Sequence, residues 1–405
     1  MYDEEECTEK SALWADMSDD EKVEFHDLYD RECLSRCCPQ LVLAEAEDSR
    51  DKKRLGLGLM DCFLPVWIIL AMALGLILGN FVPNTHAVLT NATFVGVSLP
   101  IAIGLLVMMY PILCKVRYED MLSMLTRREI IVNIFISVAI NWIVAPLLML
   151  GLAWAFLPDQ QDLREGLIVV GLGRCIAMVL IWTRLAKGDS DLCAIIVAVN
   201  SLLQIVLISP MALLYLNVVS HSGDSHKIEF DIATKSVAVF LGIPLGAAVI
   251  TRVCVRPFSP DFYDRKLMPS ISPLSLLGLL FTIIIMFASQ GKAVAENIIA
   301  VCRVAAPLIT YFVIIFMTTF FIFLRTGHTY ETTCTHAFTA ASNNFELAIA
   351  ICAAVFGVDS QQALASTIGP LIEVPVLVAF VLFAKLIKPK LHWADQSAAK
   401  PSITV

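Results

Sequence analysis

The chain has 405 residues, 58% of them hydrophobic and 16% charged, with a mean hydropathy of +0.75. Soluble domains seldom exceed half apolar residues, so an ordinary soluble domain is excluded. The net charge of −8 comes largely from an acidic N-terminus, so it says nothing about nucleic acid; no nucleic-acid partner is expected.

Residues 1–55 read as an acidic, disordered cytoplasmic tail. Asp3, Glu4, Glu5, Glu6, Asp19, Asp20 and Glu21 are typical of it, and such a segment cannot offset its ordering entropy by burying apolar surface. It shows no cleavable signal peptide. Cys33, Cys37 and Cys38 cluster here. They read as cytosolic free thiols or as palmitoylation sites near a membrane, with docking of a soft metalloid as the alternative. The remaining cysteines are scattered and form no disulfide framework.

Ten apolar spans follow, at about 62–82, 94–114, 130–157, 166–183, 192–216, 235–252, 271–289, 301–324, 336–357 and 365–387. Each approaches the roughly 20 residues that cross a bilayer. The expected fold is therefore an all-α integral membrane protein, with a ten-span transporter domain over 56–390 and a cytoplasmic C-terminal tail over 391–405. Prolines such as Pro65, Pro100, Pro146, Pro244, Pro307, Pro370 and Pro375 lie in the spans, where neighbouring groups can satisfy the carbonyls they free. Lys and Arg concentrate before span 1 and after spans 2, 4, 6, 8 and 10. By the positive-inside rule both termini are cytoplasmic.

Two spans are interrupted. Gly171, Gly173, Arg174 and Cys175 break the apolar run 167–182, and Asn343, Asn344 and Glu346 break the run 339–356. Glycine weakens a helix, and a charge at membrane depth must face protein or water. Paired interruptions in two halves point to a secondary transporter's binding site. Residues 175–179 (CIAMV) align with 346–350 (ELAIA), and 201–207 (SLLQIVL) with 370–376 (PLIEVPV). Span 4 then pairs with span 9 and span 5 with span 10. Five spans is an odd number, so the two repeats are expected to be inverted, with helices 4 and 9 broken.

Cys175 beside Arg174 is the candidate soft ligand, since a neighbouring cation favours thiolate and thiolate selects thiophilic ions; the alternative is a small apolar filler. Glu346 and Glu373 are read as the only carboxylates deep in the spans, suited to proton exchange, with an Arg174–Glu346 ion pair as the alternative for Glu346. Asn141, Asn200, Gln204, Asn343 and Asn344 are either substrate contacts or interhelical hydrogen-bonding groups. Trp182 reads as an interfacial anchor, with a substrate contact as the alternative. His221, His226, His328 and His336 show no ligand spacing, and no Walker A motif occurs. No metal, cofactor or ATP-driven step is expected.

At 97–111 (VSLPIAIGLLVMMYP), 173–179 (GRCIAMV), 200–204 (NSLLQ), 343–348 (NNFELA) and 373–377 (EVPVL) the sequence resembles the arsenical-resistance arsenite permeases. These are members of the bile acid:sodium symporter-like superfamily, and the resemblance covers about 58–390. It implies ten spans in an inverted repeat, broken helices crossing near the membrane centre, and efflux of arsenite, with antimonite a substrate of some members. The family's essential thiol falls on Cys175, its essential span-9 carboxylate on Glu346, and a second acidic position on Glu373.

The expected function is arsenite export by metalloid/proton antiport with alternating access. Cys175, Glu346, Arg174, Asn343, Asn344 and Asn200 would form the substrate site, and Glu346 with Glu373 would carry the proton. The plasma membrane is the expected location and the vacuolar membrane the alternative. Two rivals stand beside this reading: a sodium-coupled organic-anion symporter on the same fold, and a membrane metalloid sensor with the tail as its output.

Overall fold

The computed structural model describes residues 63–82, 84–116, 128–219, 230–391 and 393. The tail 1–55 with its cysteine cluster, most of 391–405, the basic connection 117–127, His221 and His226 lie outside the described residues. The chain divides into Met1–Leu64 and Pro65–Val405. Of the first unit only Phe63 and Leu64 are described; all that follows concerns the second, whose first helix begins at this boundary.

The described part is helical apart from one small hairpin. In order, α1 is Leu64–Phe81, α2 Thr85–Thr90, α3 Leu99–Cys114, α4 Arg128–Ala139, α5 Ala145–Phe156, α6 Gln161–Leu172, α7 Met178–Leu185 and α8 Ser190–Ala212. There follow α9 Phe230–Val237, α10 Ile243–Val255, α11 Pro260–Phe262, α12 Met268–Glu296, α13 Ile298–Arg325, α14 Tyr330–Ala341, α15 Phe345–Phe356 and α16 Gln361–Ile387. Strands β1 (Thr93–Phe94) and β2 (Val97–Ser98) pair antiparallel. Their turn places Gly96 at φ 76, with its Cα against Ala354, where any side chain would collide.

Six continuous helical stretches are long and apolar enough to cross a membrane: Ile130–Phe156, Ser190–Val219, Asp231–Val255, Tyr263–Lys292, Ile298–Arg325 and Gln361–Lys390. Pro65–Phe81, Leu99–Cys114 and Phe345–Phe356 are shorter apolar helices. The chain is thus a multi-pass integral membrane protein. Large apolar side chains such as Phe135, Val206, Ile250, Leu277 and Leu386 face outward, as a bilayer solvent requires and water does not.

Proline shapes several of these helices. Wide π-type turns at Ile140–Val144 and Ala238–Gly242 come just before Pro146 and Pro244. A proline has no N–H for the carbonyl four residues earlier, and a wider turn absorbs the mismatch.

Two packed groups result. In one, α3 lies against α10 and α12, and α1 lies against α12. Glycines allow the close approach: Gly75 meets the Ile284 carbonyl and Gly104 the Thr282 hydroxyl. In the other, α6 packs on α5 and α16, α13 on α14 and α16, and α15 on α16. This second group contains both interrupted helices.

Candidate functional site

Helix α6 stops at Leu172 and the chain turns helical again only at Met178. Likewise α14 stops at Ala341 and α15 begins at Phe345. The residues that end the two half-helices, Gly173 and Ser342, are extended, with ψ near 130 and 128. The two breaks run antiparallel past each other. Cys175 N donates to Ser342 O at 3.2 Å, and Asn344 N donates to Gly173 O at 3.1 Å. Two donors and two acceptors freed by breaking the helices are thereby satisfied inside the protein. The approach is close: a Cβ on Gly173 would stand 3.0 Å from the Asn344 carbonyl oxygen.

Arg174 is fully buried at this crossing. Its guanidinium donates to Gly171 O, to Ala340 O at 3.5 Å and to the Tyr311 hydroxyl at 3.3 Å. Gly171 and Ala340 are last-turn carbonyls of α6 and α14, where the negative ends of the helix dipoles lie. The Arg174 charge therefore caps two helix C-termini at once, and among the described residues no ion pair joins it to Glu346. Tyr311 completes the knot, donating to Asn343 Oδ1 at 3.2 Å.

The other side of the crossing carries a thiol and two carboxyl groups. Asn344 caps α15, its Oδ1 accepting from Leu347 N at 3.1 Å. The Cys175 sulfur faces the Met178 and Val179 amides at the start of α7. Glu346 lies in the first turn of α15 and Glu373 midway along α16. Both carboxylates are within electrostatic reach of Cys175 and of each other. Glu373 is fully buried beside the Asn343 amide and the Ser342 hydroxyl, yet neither of its oxygens completes a hydrogen bond.

One register relates the two halves of the site. Arg174 N donates to Gln204 Oε1 at 2.9 Å, and Asn343 N faces Glu373. Arg174 with Asn343, Cys175 with Asn344, and Gln204 with Glu373 are each 169 residues apart. So are the starts and the ends of the two 12-residue helices α6 and α14. So are Trp142 and Tyr311, each of which sends a donor inward, Trp142 Nε1 reaching Asn200 Oδ1 at 3.0 Å. The alignment of 175–179 with 346–350 is two residues off this register. Hydrogen bonding makes Asn344 the counterpart of Cys175 and Ala177 the counterpart of Glu346. Interchangeable apolar residues let an alignment slide; polar partners fix it.

Cys175, Arg174, Asn343, Asn344, Glu346 and Glu373 therefore come together. Asn200 lies one turn from Gln204 on α8, its Oδ1 already occupied by Trp142. Six residues here, Arg174, Gln204, Ser342, Asn343, Asn344 and Glu373, keep buried side-chain atoms without a hydrogen-bond partner. Buried polar atoms are seldom left so.

Three features differ from the sequence reading or were missed by it. Tyr311 was passed over, although a phenol inside an apolar span is a polar group at depth. Trp182 is fully buried on α7 rather than set at an interface. Glu165 is a third buried carboxylate, 1% exposed; the predicted span began at 166, one residue too late to include it.

The profile of the Sodium Bile acid symporter family matches residues 102–297. An arsenical-resistance protein Acr3 of Corynebacterium glutamicum is 45% identical over 344 residues, covering 84% of this chain and 92% of that one. An uncharacterized transporter of Synechocystis is 28% identical over 367 residues, covering 86% and 93%. The arsenical-resistance protein Acr3 of Alkaliphilus metalliredigens is 27% identical over 361 residues, covering 85% and 96%.

Proposed function

The chain belongs to the Acr3 arsenical-resistance protein family, a family of transport proteins rather than enzymes, and on that premise we propose that it exports arsenite by metalloid/proton antiport. The observation that carries this reading is the convergence of Cys175, Glu346 and Glu373 on one crossing of broken helices. Two carboxylates at membrane depth are costly unless used. Together with the thiol they offer a soft ligand for arsenic and a titrating group for a coupling ion.

At neutral pH arsenite is the uncharged hydroxide, As(OH)3. The Cys175 sulfur forms a bond to arsenic as one hydroxyl leaves with the thiol proton as water. Release reverses this step, with water returning a hydroxyl to arsenic and a proton to sulfur. The remaining hydroxyls meet the unsatisfied amides of Asn343 and Asn344, with Asn200 beyond them. Glu346, with Glu373, takes up an external proton as substrate leaves and gives it up inside. Arg174 holds the two breaks together while this happens. Antimonite offers the same soft, hydroxylated chemistry.

The remaining parts of the reading are ten spans arranged as two inverted five-helix repeats, alternating access between them, both termini in the cytoplasm and residence in the plasma membrane. The shared 169-residue register supports the repeat, and the Lys and Arg distribution supports the orientation. In inside-out vesicles carrying the protein, arsenite uptake should rise with an imposed pH gradient and ignore sodium. Uptake that follows sodium and not pH would replace this reading with the sodium-symporter one.

A further inference from the structure

We propose that Glu165 is the mouth of a proton path that runs along one face of α16 to Glu373, an inference that rests on the proton-antiport reading. Glu165 sits in the second turn of α6. Gly166, beside it, lets that helix press on α16: a Cβ there would stand 2.6 Å from the Gln362 carbonyl oxygen. The close approach brings Glu165 Oε2 to within 3.0 Å of Gln362 Nε2, which also donates to Asp162 Oδ1 at 3.2 Å. Gln161 Nε2 donates to the other oxygen, Oε1, at 2.9 Å. Two neutral amides thus hold a buried carboxylate in place.

On α6, Asp162 shares the Gln362 amide, and Arg164 donates to the Leu157 and Pro158 carbonyls and lies over Trp154, while its charge stays within electrostatic reach of Glu165. From α15, Cys352 stands within reach of Glu165 and beside the Ser366 hydroxyl. Helix α5 carries no ionisable side chain. At the same end of the bundle Asp159 is tied to Arg303, and Asp359 lies in the turn before α16.

The path inward is written on α16. Gln362, Ser366 and Glu373 are spaced by four and seven residues, so they share one helical face. Pro370 has no N–H for the carbonyl of Ser366, which leaves an extra acceptor on the helix at that level. Beyond it, about 10 Å deeper along the axis, lies Glu373 with both oxygens buried and unsatisfied. An ionised carboxylate so placed is strongly disfavoured, and the proton it needs must reach it from an end of the bundle. One proton leaves the Glu165 carboxyl, passes by the Ser366 level through water admitted when the site opens, and arrives on the Glu373 carboxylate. The total charge of the pair is unchanged.

The test uses the full chain in proteoliposomes and compares two rates, arsenite flux driven by a pH gradient and arsenite self-exchange at equal pH, which needs no net proton movement. Glu165→Gln should lower the gradient-driven flux about tenfold or more while self-exchange persists, and Glu165→Asp should restore most of it. Gradient-driven flux at the wild-type level in Glu165→Gln overturns the inference. So does a loss of both rates together in Glu165→Gln and Glu165→Asp, which would make Glu165 a structural residue. If wild-type flux ignores the gradient, the antiport reading itself falls, and the wild-type measurement alone shows it.

Discussion

The two broken helices share a backbone and differ in what hangs from it. At one break the residue facing the next helix start is Cys175, and the amide behind it is received by the neutral Gln204. At the other, the matching positions are Asn344 and the acid Glu373. Glu346 adds a second acid where the first half has Ala177. One half is soft and carries no carboxylate at the crossing; the other is hard and titratable. On the proposed antiport reading, a matched pair of breaks serves both states of the transporter, while substrate and coupling ion need different chemistry. The asymmetry is confined to a few side chains at an otherwise matched crossing.

The largest expected effect comes from making the soft half hard. Cys175→Ser replaces a thiophilic ligand with a harder oxygen, and arsenite flux in proteoliposomes should fall to background with the protein still folded. Wild-type flux would show that the thiol only fills space. Next comes making the titratable half neutral. Glu346→Gln keeps volume and hydrogen-bonding capacity but cannot change charge in each cycle, so arsenite-driven proton movement should stop. Glu373→Gln should fold normally, because Gln204 already shows that an amide fits the matching position, and should lower gradient-driven flux as Glu165→Gln does. Normal proton movement in Glu346→Gln would transfer the coupling role to Glu373.

A smaller effect tests packing. Gly166 lets α6 touch α16, whereas its counterpart 169 residues on is Thr335, whose hydroxyl donates to the Asp189 and Glu331 carbonyls. Gly166→Ala should cost about 1–3 kcal/mol by overpacking, read as a lowered thermal midpoint in detergent. Thr335→Ala should cost less, since it leaves space rather than filling it.

The smallest effect lies at the bundle end. The Arg303 guanidinium holds the exposed Asp159 carboxyl below the usual carboxylate range. A depressed carboxylate stabilises the fold above its unfolded value, near 3.9, and that contribution is lost as pH falls through the lower folded value. Arg303→Ala should therefore lower the thermal midpoint only slightly at neutral pH, as exposed pairs contribute little. The difference from wild type should vanish on strong acidification, which a pH series of midpoints would show.

Apolar content and the runs of about 20 residues were enough to place this chain in a membrane, because bilayer thickness sets helix length. Glycines, a charge and amides inside two such runs marked the breaks for the same reason: a polar group at that depth needs a purpose. Sequence also singled out Cys175, Glu346 and Glu373, the thiol and carboxylates on which the proposed function rests. The direction of the Arg174 guanidinium was not legible, since only the crossing brings Gly171 O and Ala340 O to one point. Nor was the register of the two halves, because apolar strings align almost as well two residues apart and only hydrogen bonds between distant helices distinguish them. Glu165 escaped because burial at a helix end depends on the neighbour that covers it, here α16 pressed onto Gly166. Sequence determined which residues a bilayer forces to have partners, and tertiary structure decided which partners they have, because that choice rests on a few ångströms between segments far apart in the chain.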